Sequence, residues 1–223
     1  MKILKKNYKK EIVLANIMRI LLILSMVISI KTQSWLNLFI AISTFVLTYL
    51  PYIIARKNGI KLPASFQIVI LSFIFAAQIL GELGNYYYKF WWWDIMLHTF
   101  SGVILGMVGF LLIYILNREE KIDLIMSPFF VALFSFTFAL CMGALWEIFE
   151  FSMDSIFGLN MQKSGLVDTM WDLIVDSIGA LITSINGYFY QKRHQQVPVF
   201  KEFFDENPRL LQKKEEYNNN QSC

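Results

Sequence analysis

The 223-residue chain is short of charge, of cysteine and of histidine. Asp, Glu, Lys and Arg make up 17% of it, against about 25% in soluble domains. Apolar residues make up 56%, with 20 Phe and 6 Trp among the aromatics. A soluble globular domain and a disordered, solvated chain are both excluded by that balance. The two cysteines, Cys141 and Cys223, sit in an apolar run and at the last residue. They cannot form a disulfide framework. Of the two histidines, only His98 lies inside an apolar run, since His194 follows the last one. A symmetric di-iron bundle site, which takes a Glu-x-x-His pair from each of two helices, is therefore disfavoured. No P-loop, dinucleotide-binding glycine pattern or zincin motif is present. The basic residues follow topology and give no sign of a nucleic-acid partner.

What the chain has is six apolar runs, near 12–30, 36–55, 64–83, 95–116, 128–151 and 169–190. A bilayer core of ~30 Å takes ~20 residues of helix. Lipid offers no partner to backbone N–H and C=O groups, so each run is expected as a helix. The expected fold class is all-α: one polytopic membrane bundle over residues 1–190, with six transmembrane helices joined by short loops. The basic start MKILKKNYKK has no small-residue cleavage pattern after it and reads as the approach to an uncleaved first helix. Arg19, inside the first run, is expected to snorkel to the nearer interface. Residues 191–223 are expected as a charged cytoplasmic tail, partly disordered and ending in NNNQSC.

Orientation comes from Lys and Arg. With both termini cytoplasmic, only Lys31, Lys89 and Lys163 of the 20 basic residues fall outside. All six Trp then lie toward the outer side, and the run YYYKFWWW at 86–93 reads as an aromatic belt.

The acids show the complementary pattern. Glu82, Asp94, Glu147, Glu150, Asp154, Asp168, Asp172 and Asp176 all fall at the outer ends of the last four runs, and His98 is with them. Residues three, four, seven and eight apart share a helix face. Gln78, Glu82 and Asn85 share one; so do Asp94, His98 and Ser101; so do Glu147, Glu150 and Asp154; so do Asp168, Asp172 and Asp176. Polar stripes in lipid turn toward the bundle interior. Four stripes at similar depth are expected to converge on one outward-facing site, with Asp176 as its floor and Asp168 near its rim. So many carboxylates below the headgroups cannot all be ionised without compensation. A bound cation, a proton relay or an open aqueous vestibule would each resolve the conflict.

Carboxylates with one imidazole suit a hard or borderline divalent cation. The leading expectation is a metal site of His98, Glu147, Glu150, Asp172 and Asp176. Asp94 or Asp168 would orient or activate water as the catalytic group, with Glu82 and Asp154 accessory. Mg, Mn, Ca and Zn all remain open as the ion. The substrate would be a lipid headgroup or an envelope precursor. Two alternatives stand beside it: a proton- or cation-coupled transporter, and a non-catalytic membrane scaffold. The inner halves of the helices, such as FLLIYIL and SPFFVALFSF, are apolar and argue against a through-pathway. Gly102-x-x-x-Gly106, Ala139-x-x-x-Gly143 and Gly179-x-x-x-Thr183 read as close helix contacts.

Three segments carry a resemblance: His98-Thr-Phe-Ser-Gly102, Trp146-Glu147-Ile-Phe-Glu150 and Asp168-Thr-Met-Trp171-Asp172-Leu-Ile-Val-Asp176. Together they resemble the bacterial YjdF-like inner-membrane proteins, a domain-of-unknown-function family, over roughly residues 70–190. The resemblance implies a multi-pass protein of the bacterial inner membrane and brings no established activity.

Overall fold

The computed structural model describes residues 2–49, 53, 56–57, 59–116, 126–193 and 198–208, and every regular element among them is a helix. Each of the six apolar runs contains one. The inner end of the second run at 50–52 and 54–55, the loop at 117–125 and the terminal residues 209–223 lie outside the described residues. The chain divides into two compact units, Met1–Trp93 and Asp94–Cys223.

In the first unit, α1 (Lys2–Lys31) and α2 (Trp35–Leu47) pack as a helical hairpin. Ala15, Met18, Leu22 and Ser29 of α1 are buried. Their spacing of three, four and seven puts them on one stripe. Ala15 and Met18 meet Leu71 of α3 (Ala64–Ile74). Arg19 does not reach for an interface alone. Its guanidinium lies 3.8 Å over the Tyr49 ring and donates to the Thr48 hydroxyl at 3.3 Å and to Asn16 at 3.2 Å. It thereby ties α1 to the end of α2.

α3 runs directly into a π-helical stretch, Phe75–Leu83, which holds Gln78 and Glu82. Gln78 accepts from Thr44 of α2 at 3.3 Å. The aromatic run then folds back through the single turn α4 (Tyr86–Lys89). Trp93 donates to the Ala76 carbonyl at 3.3 Å, and its ring meets Tyr86 edge-on at 4.9 Å. Trp91 and Tyr88 point outward. The belt thus has an anchored end and an exposed face.

The second unit is built from α5 (Trp93–Leu116), α6 (Pro128–Phe157), α7 (Leu166–Lys192) and α8 (Pro198–Glu206). Ser127 caps α6, its hydroxyl accepting from the Phe130 N–H at 3.2 Å, and Pro128 takes the first turn, where its missing N–H costs nothing. Gly158 ends α6 with φ of 65°, a conformation open to glycine. The three long helices measure about 36–45 Å at 1.5 Å per residue, more than a ~30 Å hydrocarbon core. α6 and α7 pack along one another.

The pattern of burial is inverted relative to a water-soluble protein. On α7 the inward face carries Asp172, Asp176, Gly179, Thr183 and Ser184, while Ile174, Ile178, Ile182 and Ile185 face outward, Ile182 being 49% exposed. Such an apolar exterior is stable only against lipid. Ser65–Leu83, Trp93–Ile113 and Pro128–Phe157 are each long and apolar enough to cross a membrane. α7 is not among them; it carries three acids, of which Asp172 and Asp176 are buried on its inward face. The fold is an all-α membrane bundle.

After α7, the described residues 198–208 hold one more short helix. α8 buries Phe200, Phe203 and Phe204 on one side and exposes Lys201 and Asp205 on the other.

Candidate functional site

α5 and α7 touch through glycines. A Cβ added to Gly102 would stand 3.0 Å from the Ala180 nitrogen, and one on Gly179 would stand 3.0 Å from the Val103 nitrogen. No side chain fits between these backbones. Ser135 of α6 donates to the Gly106 carbonyl of α5 at 2.6 Å, and Thr183 of α7 donates to Val103 at 3.3 Å. The small-residue contacts draw three helices together one to two turns beneath the acids. The polar groups above then have no choice but to meet.

They meet around His98. Its Nδ1 lies 3.3 Å from Asp176 Oδ2. Its Nε2 lies 3.8 Å from Asp94 Oδ1 and 3.8 Å from Asp172 Oδ2. Asp176 is the deepest of these groups at 1% exposure, and its other oxygen accepts from the Ser101 hydroxyl. Gly143 of α6 gives Asp176 its room, since a Cβ there would come within 2.6 Å of Oδ2. Asp94 Oδ2 is held at 2.5 Å by Lys163, from the loop between α6 and α7.

Asp94, His98 and Asp172 each offer one ligand atom, and these atoms all lie within 4.8 Å of one another. Two ligands on a tetrahedral ion with ~2.1 Å bonds stand about 3.4 Å apart; the two 3.8 Å gaps from His98 are a few tenths of an ångström wider, and the three ligand atoms together lie within 4.8 Å of one another.

Glu147 lies against this cluster. It is 4% exposed, and neither carboxylate oxygen makes a hydrogen bond. His98, Asp168, Asp176 and Thr169 are its polar neighbours. Glu150, one turn on, accepts from the Trp146 indole at 2.9 Å. Asp168 is half-buried at the start of α7. Asp154 stands apart from the cluster. Its two oxygens accept the Met161 and Gln162 N–H groups at 2.7 and 2.9 Å. It shapes the loop that presents Lys163. Glu82 belongs to the first unit.

Of the residues expected as ligands, His98, Asp172 and Asp176 come together with Glu147 beside them, while Glu150 bonds to Trp146; Asp94, expected as a catalytic group, stands 3.8 Å from His98. Two participants stand outside the candidate set. Ser101 shares the stripe of Asp94 and His98, and that spacing is its signal. Lys163 is the sole base between Lys121 and Lys192. Its isolation among acids is the signal, although topology alone also accounts for it.

Comparison with known proteins agrees with this picture at the level of class. A protein of Thermotoga maritima, titled an uncharacterized protein, is 28% identical over 131 residues, which covers 58% of this chain. The chain spans 65% of that relative's length. No solved structure matches. Residues 12–193 match the family described as predicted membrane protein (DUF2238). With most of its length inside that match, and in keeping with the YjdF-like resemblance, the chain belongs to the DUF2238 family of membrane proteins.

Proposed function

We propose that this membrane protein carries a divalent-cation site at the end of α5–α7 formed by Asp94, His98 and Asp172, and that the bound ion acts on a lipid headgroup or envelope precursor. The observation that carries the reading is the pairing of His98 Nδ1 with Asp176, 3.3 Å away. A metal-bound imidazole usually gives its other N–H to a carboxylate, which fixes the tautomer and raises ligand basicity. Asp176, itself held by Ser101, supplies that partner and leaves the Nε2 lone pair facing Asp94 and Asp172. One imidazole and two carboxylates suit Zn²⁺ or Mn²⁺ better than Mg²⁺ or Ca²⁺, which take mostly oxygen. An ion there offsets two of the carboxylate charges that Lys163 cannot. Glu147, buried beside Thr169 and His98, is placed to take a proton from ion-bound water.

In this proposal Asp94 is a ligand, Glu150 and Asp168 line the approach, and all six helices cross the bacterial inner membrane with both termini cytoplasmic. The Lys and Arg distribution supports that orientation, and the Thermotoga relative supports the bacterial setting.

A second reading has its own support. The distances from both His98 nitrogens also fit an imidazolium ion-paired on each side. That arrangement would serve a proton-coupled transporter.

Metal analysis of protein purified in mild detergent separates the two. About one Zn or Mn per chain is expected, restored after chelation by either ion and lost in Asp172→Asn. A melting temperature that ignores chelator and added Zn, Mn, Mg and Ca, in protein free of metal throughout, sinks the cation reading and leaves the proton relay.

A further inference from the structure

The seam between α6 and α7 opens at the end far from the carboxylates. There a groove of about 360 Å³, a volume in the range of ligand pockets, is lined by Phe129, Ala132 and Phe136 of α6 and by Leu181, Ser184 and Tyr188 of α7. The spacing of three and four on both helices makes it a continuous trough along the pair. From Leu181 to Phe189 it runs about 12 Å at 1.5 Å per residue, close to one leaflet of a ~30 Å hydrocarbon core.

Its mouth is basic. α7 ends one turn beyond Tyr188 with Lys192 and Arg193, both exposed and neither ion-paired among the described residues. The Lys192 ammonium sits 5.7 Å over the ring of Tyr188, itself a wall of the groove. An apolar trough close to one leaflet long, with two cations at its end that form no ion pair among the described residues, is complementary to one class of molecule. Basic pockets between transmembrane helices bind anionic headgroups.

We infer that this groove binds one anionic phospholipid, its acyl chain between α6 and α7 and its phosphate on Lys192 and Arg193. The inference is independent of the cation site, because no residue is shared.

The test is lipid retention in native mass spectrometry of the full chain, with phosphatidylglycerol and phosphatidylcholine as the two probes. One phosphatidylglycerol per chain is expected to stay bound, with preference over phosphatidylcholine of roughly thirtyfold, taken as about fivefold for each basic residue. The Lys192→Ala/Arg193→Ala double variant should bring the preference to about one. Ile185→Trp, at an exposed position lining the groove, should fill the trough without disturbing buried packing and lower retention of both lipids. Lys89→Ala, far along the sequence, should change nothing. Equal retention of the two lipids by the unmodified protein overturns the proposal. So does unchanged retention in Ile185→Trp, or a loss in Lys89→Ala as large as in the double variant.

Discussion

Asp176 and Glu147 are both buried carboxylates within the same cluster, and they differ in every other respect. Asp176 accepts on both oxygens, from Ser101 and from His98. Glu147 accepts on neither. Removing the charge should therefore be felt on different properties at the two positions. Asp176→Asn takes away the carboxylate that orients His98, and metal affinity should fall by roughly 10–100-fold, the usual effect of losing such a partner. Isothermal titration with Zn²⁺ or Mn²⁺ reads this directly. Glu147→Gln removes a buried charge that Asp168 and Asp176 repel, with Thr169 and His98 on its favourable side, so the metal-free protein should gain about 1–3 kcal/mol. A higher melting temperature in chelator is the expected result. A lower one would mean that the Glu147 charge is balanced by a partner in solution. The sequence cannot separate these two residues, because each is an acid on a helix stripe; only the neighbours on other helices distinguish them.

At the scale of the element, α7 shows what was legible and what was not. The i, i+4 spacing of Asp168, Asp172 and Asp176 marks one face, and the structure turns Asp172 and Asp176 of that face inward. Gly179-x-x-x-Thr183 marks a contact, and the contact is with α5. Periodicity reveals a face but not its partner. The loop after α6 was harder to read, since its form depends on Asp154 accepting from Met161 and Gln162 across seven and eight residues. No short pattern announces such a closure, and so the placement of Lys163 on Asp94 could not be read from spacing. α8 is similar: Phe200, Phe203 and Phe204 share a face in a segment whose composition reads as a tail. The α5–α7 contact carries a sharper expectation. Gly179→Ala forces two backbones apart, at about 1–3 kcal/mol for an overpacked position. Because the acids sit above that contact, loss of metal binding should accompany the loss of stability. An alanine variant that melts lower but binds metal as before would uncouple the glycine contact from the site.

For the molecule as a whole, the inverted burial of α7 bears on how the chain enters its membrane. The translocation machinery meets helices one after another, and it meets α7 with its acids uncovered. A carboxylate at the centre of a lone span costs about 2.5–3.5 kcal/mol on insertion, and α7 brings Asp172 and Asp176 into the apolar interior under the six-span proposal. α6 arrives first and has what α7 lacks: a long apolar body, with Gly143 opening a space for Asp176. The two would then be released into lipid as a hairpin, α7 sheltering its polar side against α6 and against α5, which has already arrived with His98 and Ser101. A glycosylation-tagged insertion assay tests this order. α7 alone, in a neutral host, should be passed through the membrane, whereas the α6–α7 pair should be retained with two crossings. Asp172→Leu with Asp176→Leu should let α7 lodge unaided. The acids that assemble the site would then also set the sequence of events by which the protein is made, with α7 waiting at the membrane until its neighbour is there to receive it.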